Sequence, residues 1–153
     1  MKLQRNKVSE IIIAQNTESI LHGIEFLHMN KIVHGSMKSA NIFVTRNGMC
    51  KIADFGQVKQ ICSMSTSKRS NLHDIYWTAP ELICKKKRDA STHNRFSDIW
   101  SLGCVVYELA TGKPPWSEED EFTLIMKLAN SKQGPPYPSM FSNELKDFLD
   151  CCF

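Results

Sequence analysis

Apolar residues recur along this chain with two different periods. Over residues 9–30, Ile12, Ile13, Ile20, Leu21, Ile24 and Leu27 return at helical spacing, with Phe26 beside them. That pattern predicts one long buried helix, capped by Ser9 and ended at Asn30-Lys31. Ile32-Val33 then reads as a short strand. The period changes after residue 41: Ile42-Phe43-Val44 and Met49-Cys50-Lys51-Ile52 flank Asn47-Gly48, the sequence signal of a β-hairpin. Residues 57–78 are polar, with Ser63, Ser65, Thr66, Ser67, Ser70, Lys68 and Arg69 together, and read as a loop. Ala79-Pro80-Glu81 opens a short helix, since proline is tolerated in a first turn. Residues 97–111 give the strongest helical pattern: Ile99, Leu102, Val105, Val106 and Leu109, with Trp100 and Tyr107. Ser97 is its expected cap, and Gly112 with Pro114-Pro115 its stop. Apolar side chains ring much of that helix, which makes it central. Residues 118–130 form an amphipathic helix on Phe122, Leu124, Ile125 and Leu128. A Gly/Pro loop over 133–139 leads to a last helix beginning at Asn143 and running to Phe153. The sum is a mainly α fold with a short β-hairpin.

Composition narrows the class. The 153 residues suffice for one domain with a single core, and 42% apolar content is ordinary for a globular chain. No apolar run reaches the length of a membrane span, and the first residues, Met-Lys-Leu-Gln-Arg-Asn-Lys, lack the apolar core of a signal peptide. A cytoplasmic protein without membrane association is expected. A net charge of +3 is too small to argue for nucleic acid. None of the six cysteines (Cys50, Cys62, Cys84, Cys104, Cys151, Cys152) forms a C-x-x-C pair, so reduced thiols are expected rather than a metal site or disulfides. His22 and His28 read as satisfied helix residues. Lys85-Lys86-Lys87-Arg88 reads as a solvated insertion.

The hairpin carries the candidate chemistry. It sets Asn41 just before one strand and Asp54 just after the other, so an amide oxygen and a carboxylate return to the same end. Such a pair suits a hard, oxygen-seeking cation such as Mg²⁺.

His34, then Asn41 seven residues on, then Asp54-Phe55-Gly56, then Ala79-Pro80-Glu81 resembles the eukaryotic protein-kinase signature in its usual order. The wording around it, "FLHMNKIVH", "KIADFG", "YWTAPELI" and "SDIWSLGCVVYELATGKPPW", is most similar to serine/threonine kinases of the MAP kinase kinase kinase type. The resemblance implies a protein-kinase-like C-terminal lobe over residues 1–153. It has no glycine-rich loop, strand lysine or helix glutamate of the N-terminal lobe, and so is expected to be truncated at both ends. By resemblance Lys38 meets the transferring phosphate, Asn41 and Asp54 hold Mg²⁺, Phe43 supports the adenine of ATP from below, and His34 packs beneath Phe55. Asp98 is implied to accept backbone N–H groups of the His34 loop. The implied partners are proteins of a signalling cascade. Glu81 lacks the arginine that the family supplies further on. An unpaired carboxylate there costs about 3–5 kcal/mol if the site is dry, so a marginal fold is expected.

Three letters depart from the pattern. Ser36 stands where the family has its catalytic aspartate, Gly35 where it has an arginine, and Asp74 where it has a threonine that bridges the catalytic aspartate and the loop lysine. A serine hydroxyl is no base near neutral pH, and general-base positioning is worth about 10²–10⁴-fold. The primary expectation is a pseudokinase that binds partners and, when completed by an N-terminal lobe, nucleotide. A kinase fragment with residual phosphotransfer and a truncated, non-functional product are the alternatives. Asp74 is further expected to pair with Lys38 in place of the missing aspartate.

Overall fold

The computed structural model describes residues 8–54, 59–60, 72–83, 95–130 and 134–153, and the side chains of all but 59, 60, 72 and 73 among them. The Phe55-Gly56 end of the hairpin motif, the serine-rich stretch over 61–71, and the Lys85-Lys86-Lys87-Arg88 run lie outside the described residues.

The described elements are α1 (Glu10–Met29), β1 (Ile32–Val33), β2 (Ile42–Val44), β3 (Cys50–Ile52), β4 (Lys59–Gln60), α2 (Pro80–Ile83), α3 (Arg95–Thr111), α4 (Glu121–Asn130) and α5 (Asn143–Asp150), with 3₁₀ turns at Ser39–Asn41 and Leu72–Trp77. The architecture is the mainly helical, kinase-like lobe that the apolar pattern and the resemblance imply. The hairpin forms as expected, with Ile42 opposite Ile52 and Val44 opposite Cys50. Gly48 turns it at φ 80°, a conformation that glycine adopts without steric cost. Thr45 closes the turn, its N–H donating to Met49 O at 2.9 Å. A second two-stranded pair, β1 antiparallel to β4 with Val33 opposite Lys59, was not foreseen, because two residues are too few to show a period.

Helix ends are where expectation and structure part. Ser9 sits at the start of α1 in an extended conformation, but its side chain makes no capping bond. Ser97 is not the cap of α3: the helix already runs at Arg95, and Ser97 is buried inside its first turn. Helix α4 begins at Glu121 rather than 118, because Asp120 caps it; the Asp120 Oδ1 accepts from Thr123 N at 3.0 Å. Helix α5 stops at Asp150, short of Phe153, and its cap is Ser142, whose Oγ accepts from Leu145 N at 3.1 Å.

The core has two connected parts, and α3 belongs to both. One packs Ile20 and Ile24 of α1, Met37, Ile42, Leu102, Val105, Val106 and Leu149. The other packs Ile75, Ala79, Trp100, Cys104, Leu124 and Leu128. Burial of each large aliphatic residue contributes about 1.5–3 kcal/mol. Burial also pushes the Cys104 thiol well above its ordinary range, which marks it as a core residue rather than a reactive one. Three apolar residues of the expected buried patterns are in fact exposed, Ile12 at 48%, Phe26 at 67% and Phe122 at 72%. On α1 the buried face includes Asn16 and Thr17, and Thr17 satisfies its hydroxyl on Ile13 O at 2.7 Å. Close approaches need glycine at Gly23 and Gly103, among others. A Cβ on Gly23 would meet Ile52 Cδ1 at 2.8 Å, where α1 crosses the hairpin. One on Gly103 would meet Cys152 Cβ at 2.7 Å, where the residues after α5 return to α3. Among the described residues no helix is long and apolar enough to cross a membrane.

Candidate functional site

Helix α3 builds the site from beneath. Asp98, 1% exposed, places Oδ2 at 2.9 Å from the His34 N–H and Oδ1 at 2.8 Å from the Gly35 N–H. A carboxylate with four lone-pair directions can take both backbone donors and more, and here the His28 Nε2 donates to Oδ2 as well, at 2.8 Å. The scaffold role implied for Asp98 is therefore realised, and His28 is a satisfied helix residue. Gly35 lies at φ 71°, where a side chain costs about 1–2 kcal/mol. The loop is bent there, and the two bonds to Asp98 hold the bend.

His34 is fully buried. Its Nδ1 accepts from the Ser36 N–H at 3.3 Å and its Nε2 donates to Ala53 O at 3.2 Å, so these two bonds select the tautomer with the proton on Nε2. The histidine thereby ties the loop to the far end of the hairpin. Its expected partner Phe55 lies outside the described residues.

The 3₁₀ turn after Lys38 brings Asn41 back over Ser36. The Asn41 amide nitrogen donates to Ser36 O at 2.9 Å, and Ala53 N donates to Asn41 O at 2.8 Å. Asn41 is buried, with its orientation set by the first bond so that Oδ1 is left as an acceptor. Asp54 follows Ala53 directly, is exposed, and turns at φ 65°, a left-handed conformation that Asp tolerates better than most side chains. The hairpin register thus brings Asn41 and Asp54 to one end, as the spacing implies. The donor set fits a hard cation, with one amide oxygen and one carboxylate, both hard oxygen ligands. Phe43 points outward from the hairpin and is 53% exposed. Ser36 is half-buried, and its hydroxyl sits in the loop with no carboxylate of its own to offer.

Lys38 and Asp74 meet. The Lys38 Nζ donates to Asp74 Oδ1 at 2.8 Å, with the two side chains 22% and 20% exposed. Asp74 belongs to the 3₁₀ turn Leu72–Trp77, a region that composition alone assigns to a loop. The turn is held by Thr78, whose Oγ1 donates to Asp74 O at 2.8 Å, and by the burial of Ile75. The pair expected from the two departures at 36 and 74 is therefore formed.

One residue that sequence reasoning passed over completes the arrangement. Glu108 accepts from Ser39 Oγ at 3.0 Å and from Trp77 Nε1 at 3.1 Å, joining α3 to the loop after Lys38 and to the turn that carries Asp74. Burial raises its carboxyl above the ordinary range, and the bonds from Ser39 and Trp77 pull it part of the way back. A signal for it existed: Asp98 and Glu108 are the two carboxylates of a helix rich in apolar residues. Glu81 is half-buried rather than sealed. Water reaches it, so the full cost of a dry unpaired carboxylate does not apply.

The sequence model of the family described as "Protein kinase domain" matches residues 1–153. Among curated proteins, the chain is 42% identical over 146 residues to a mitogen-activated protein kinase kinase kinase A of Dictyostelium discoideum, covering 95% of this chain and 15% of that protein. It is 41% identical over 146 residues to a mitogen-activated protein kinase kinase kinase 3 of Arabidopsis thaliana, covering 94% and 22%. To a mitogen-activated protein kinase kinase kinase 1b of Physcomitrium patens it is 40% identical over 136 residues, covering 89% and 17%. The chain thus spans less than a quarter of the length of each of these relatives.

Proposed function

The chain belongs to the protein kinase domain family, of the serine/threonine, MAP kinase kinase kinase-like type, and within that family we propose that it is the C-terminal lobe of a pseudokinase. In this reading it acts in a signalling cascade by binding protein partners, and binds Mg·ATP when an N-terminal lobe completes the cleft. The observation that carries the reading is the residue at 36: a hydroxyl occupies the place from which the family's carboxylate orients the attacking alcohol and takes its proton. Lys38, Asn41, Phe43 and Asp54 are assigned to the nucleotide side. Asn41 and Asp54 would hold the cation, which when bound supplies charge neutralisation of the phosphates. Lys38 would approach a phosphate, and the exposed face of Phe43 would lie against the base.

A second reading, residual phosphotransfer, has one observation in its favour. The carboxylate missing at 36 has a counterpart at 74, which keeps Lys38 neutralised and oriented. Phosphoryl transfer depends mostly on positioning and charge, so a site without its base retains part of its rate.

The test joins the N-terminal lobe of one of the matched relatives ahead of this chain and compares wild type with Ser36→Asp, alone and with Asp74→Thr. The double substitution avoids two carboxylates facing one lysine. On the pseudokinase reading, phosphotransfer rises about 100-fold or more in the double variant. The Mg·ATP-induced rise in melting temperature persists in all three proteins. A wild-type rate within a few-fold of the double variant would sink the reading.

A further inference from the structure

The Lys38–Asp74 pair joins two segments that are anchored separately. On the Lys38 side the backbone is fixed: Asn41 N donates to Lys38 O at 2.9 Å, and the Asn41 amide nitrogen donates to Ser36 O at 2.9 Å. On the Asp74 side the turn Leu72–Trp77 is anchored at its far end. There Ile75 is buried, the Tyr76 hydroxyl donates to Glu119 O at 3.0 Å, and the Ser101 hydroxyl donates to Trp77 O at 2.7 Å. Lys38 is the only ion-pair partner of Asp74 among the described residues. The near end of the turn therefore depends on that one charged contact for its tie to the loop.

A ligand competes for the same ammonium. On the nucleotide reading, on which this inference rests, Lys38 approaches the transferring, terminal phosphate, so two anions face one cation. A hydroxyl at position 74 would share the ammonium with a phosphate, because it donates as well as accepts. A carboxylate only accepts, and it repels the phosphate. The Lys38 and Asp74 side chains are 22% and 20% exposed, so solvent screens that repulsion only in part. Ser36 adds no charge of its own. A nucleoside diphosphate lacks the terminal phosphate and leaves the pair intact.

We propose that Lys38 is a shared contact: Asp74 holds it in the absence of nucleotide or beside a nucleoside diphosphate, and gives it up to the terminal phosphate of a nucleoside triphosphate, which frees the near end of the turn. The nucleotide state is thereby coupled to the position of the segment that carries Asp74. Linkage makes the effect reciprocal. If the triphosphate loosens the turn, Asp74 weakens triphosphate binding by the same factor. An ion pair at this exposure corresponds to about fivefold in affinity.

The test uses the chain completed by an N-terminal lobe, as above. Affinities for Mg·ATP and Mg·ADP are measured by calorimetry, and amide exchange over residues 74–78 by mass spectrometry. The proteins are wild type, Asp74→Asn, and Lys68→Ala/Arg69→Ala. Lys68 and Arg69 lie outside the described residues, and the last variant asks whether they hold Asp74 in place of Lys38. In wild type, exchange over 74–78 should be faster with Mg·ATP than with Mg·ADP. In Asp74→Asn that difference should vanish, and Mg·ATP should bind about fivefold more tightly while Mg·ADP changes less than about twofold. Lys68→Ala/Arg69→Ala should behave as wild type. An ATP-to-ADP affinity ratio that Asp74→Asn leaves unchanged, equal exchange with the two nucleotides in wild type, or loss of the difference in Lys68→Ala/Arg69→Ala would each overturn the inference and leave nucleotide binding standing. Failure of both nucleotides to bind would overturn the nucleotide reading and this inference with it.

Discussion

At the scale of single residues, the functional question turns on where one negative charge stands. Position 36 offers a hydroxyl, and the carboxylate nearest in role is Asp74, paired with Lys38 at 2.8 Å. The pair is about one-fifth exposed on each side, so water and salt still screen it and its strength is that of a partly protected surface bridge. A double-mutant cycle with Lys38→Met and Asp74→Thr should give a coupling of about 1 kcal/mol in denaturant unfolding, falling as salt is raised. A coupling indistinguishable from zero at low salt would mean that the two side chains do not hold the loop together. Glu108 is a different case, because its two bonds connect neutral donors and its burial raises its affinity for a proton. A carboxyl whose pKa is raised in the folded state favours folding most below its unfolded pKa, and that advantage is lost as pH climbs through the folded value. In Glu108→Gln the amide oxygen can still accept from Trp77 while its nitrogen donates to Ser39, and no charge is buried. The melting temperature of the variant relative to wild type should therefore rise from pH 4 to pH 7. A difference that stays flat with pH would show that the carboxylate is not the group concerned.

At the scale of elements, α3 explains why loops from distant parts of the chain meet. Asp98, Ser101 and Glu108 fall within about 80° of one another around the helix, at 100° per residue. From this one face Asp98 holds the His34 loop, the Ser101 hydroxyl donates to Trp77 O at 2.7 Å, and Glu108 holds Ser39 and the Trp77 indole. The apolar remainder of α3 is fixed in the core, so these three side chains stand on a rigid base. Helix ends show the opposite behaviour, where local sequence misleads. Ser9 and Ser142 are both serines before a helix, yet only the Ser142 hydroxyl oxygen accepts from an orphan N–H. Ser142→Ala should cost about 1 kcal/mol, and Ser9→Ala less than about 0.5 kcal/mol. Equal losses would mean that the caps do not differ. The difference was not legible beforehand, since Ser142 is placed by tertiary contact: its N–H donates to the Glu10 carboxylate at the start of α1, 132 residues away.

At the scale of the whole molecule, the order of elements and the identity of the central helix could be read from apolar spacing, because a helix or strand that buries one face must repeat every 3.6 or 2 residues. The hairpin was equally legible, and with it the return of Asn41 and Asp54 to one end, since an Asn-Gly turn sets the register locally. The motif order, and so the family, is likewise a property of the letters alone. The Lys38–Asp74 pair was expected from the departures at 36 and 74, and the structure supplies its geometry. What tertiary structure alone decided were the other contacts between segments far apart in the chain: Glu108 with Ser39 and Trp77, His28 with Asp98, and β1 with β4. It also decided which apolar residues stay outside, among them Ile11, Phe26 and Phe122. The physical reason is one of range. Backbone propensity and side-chain period act over a few residues and are written in the sequence at that spacing. A hydrogen bond across 36 or 69 positions exists only once the packing of α3 has brought its donor and acceptor to within 3 Å.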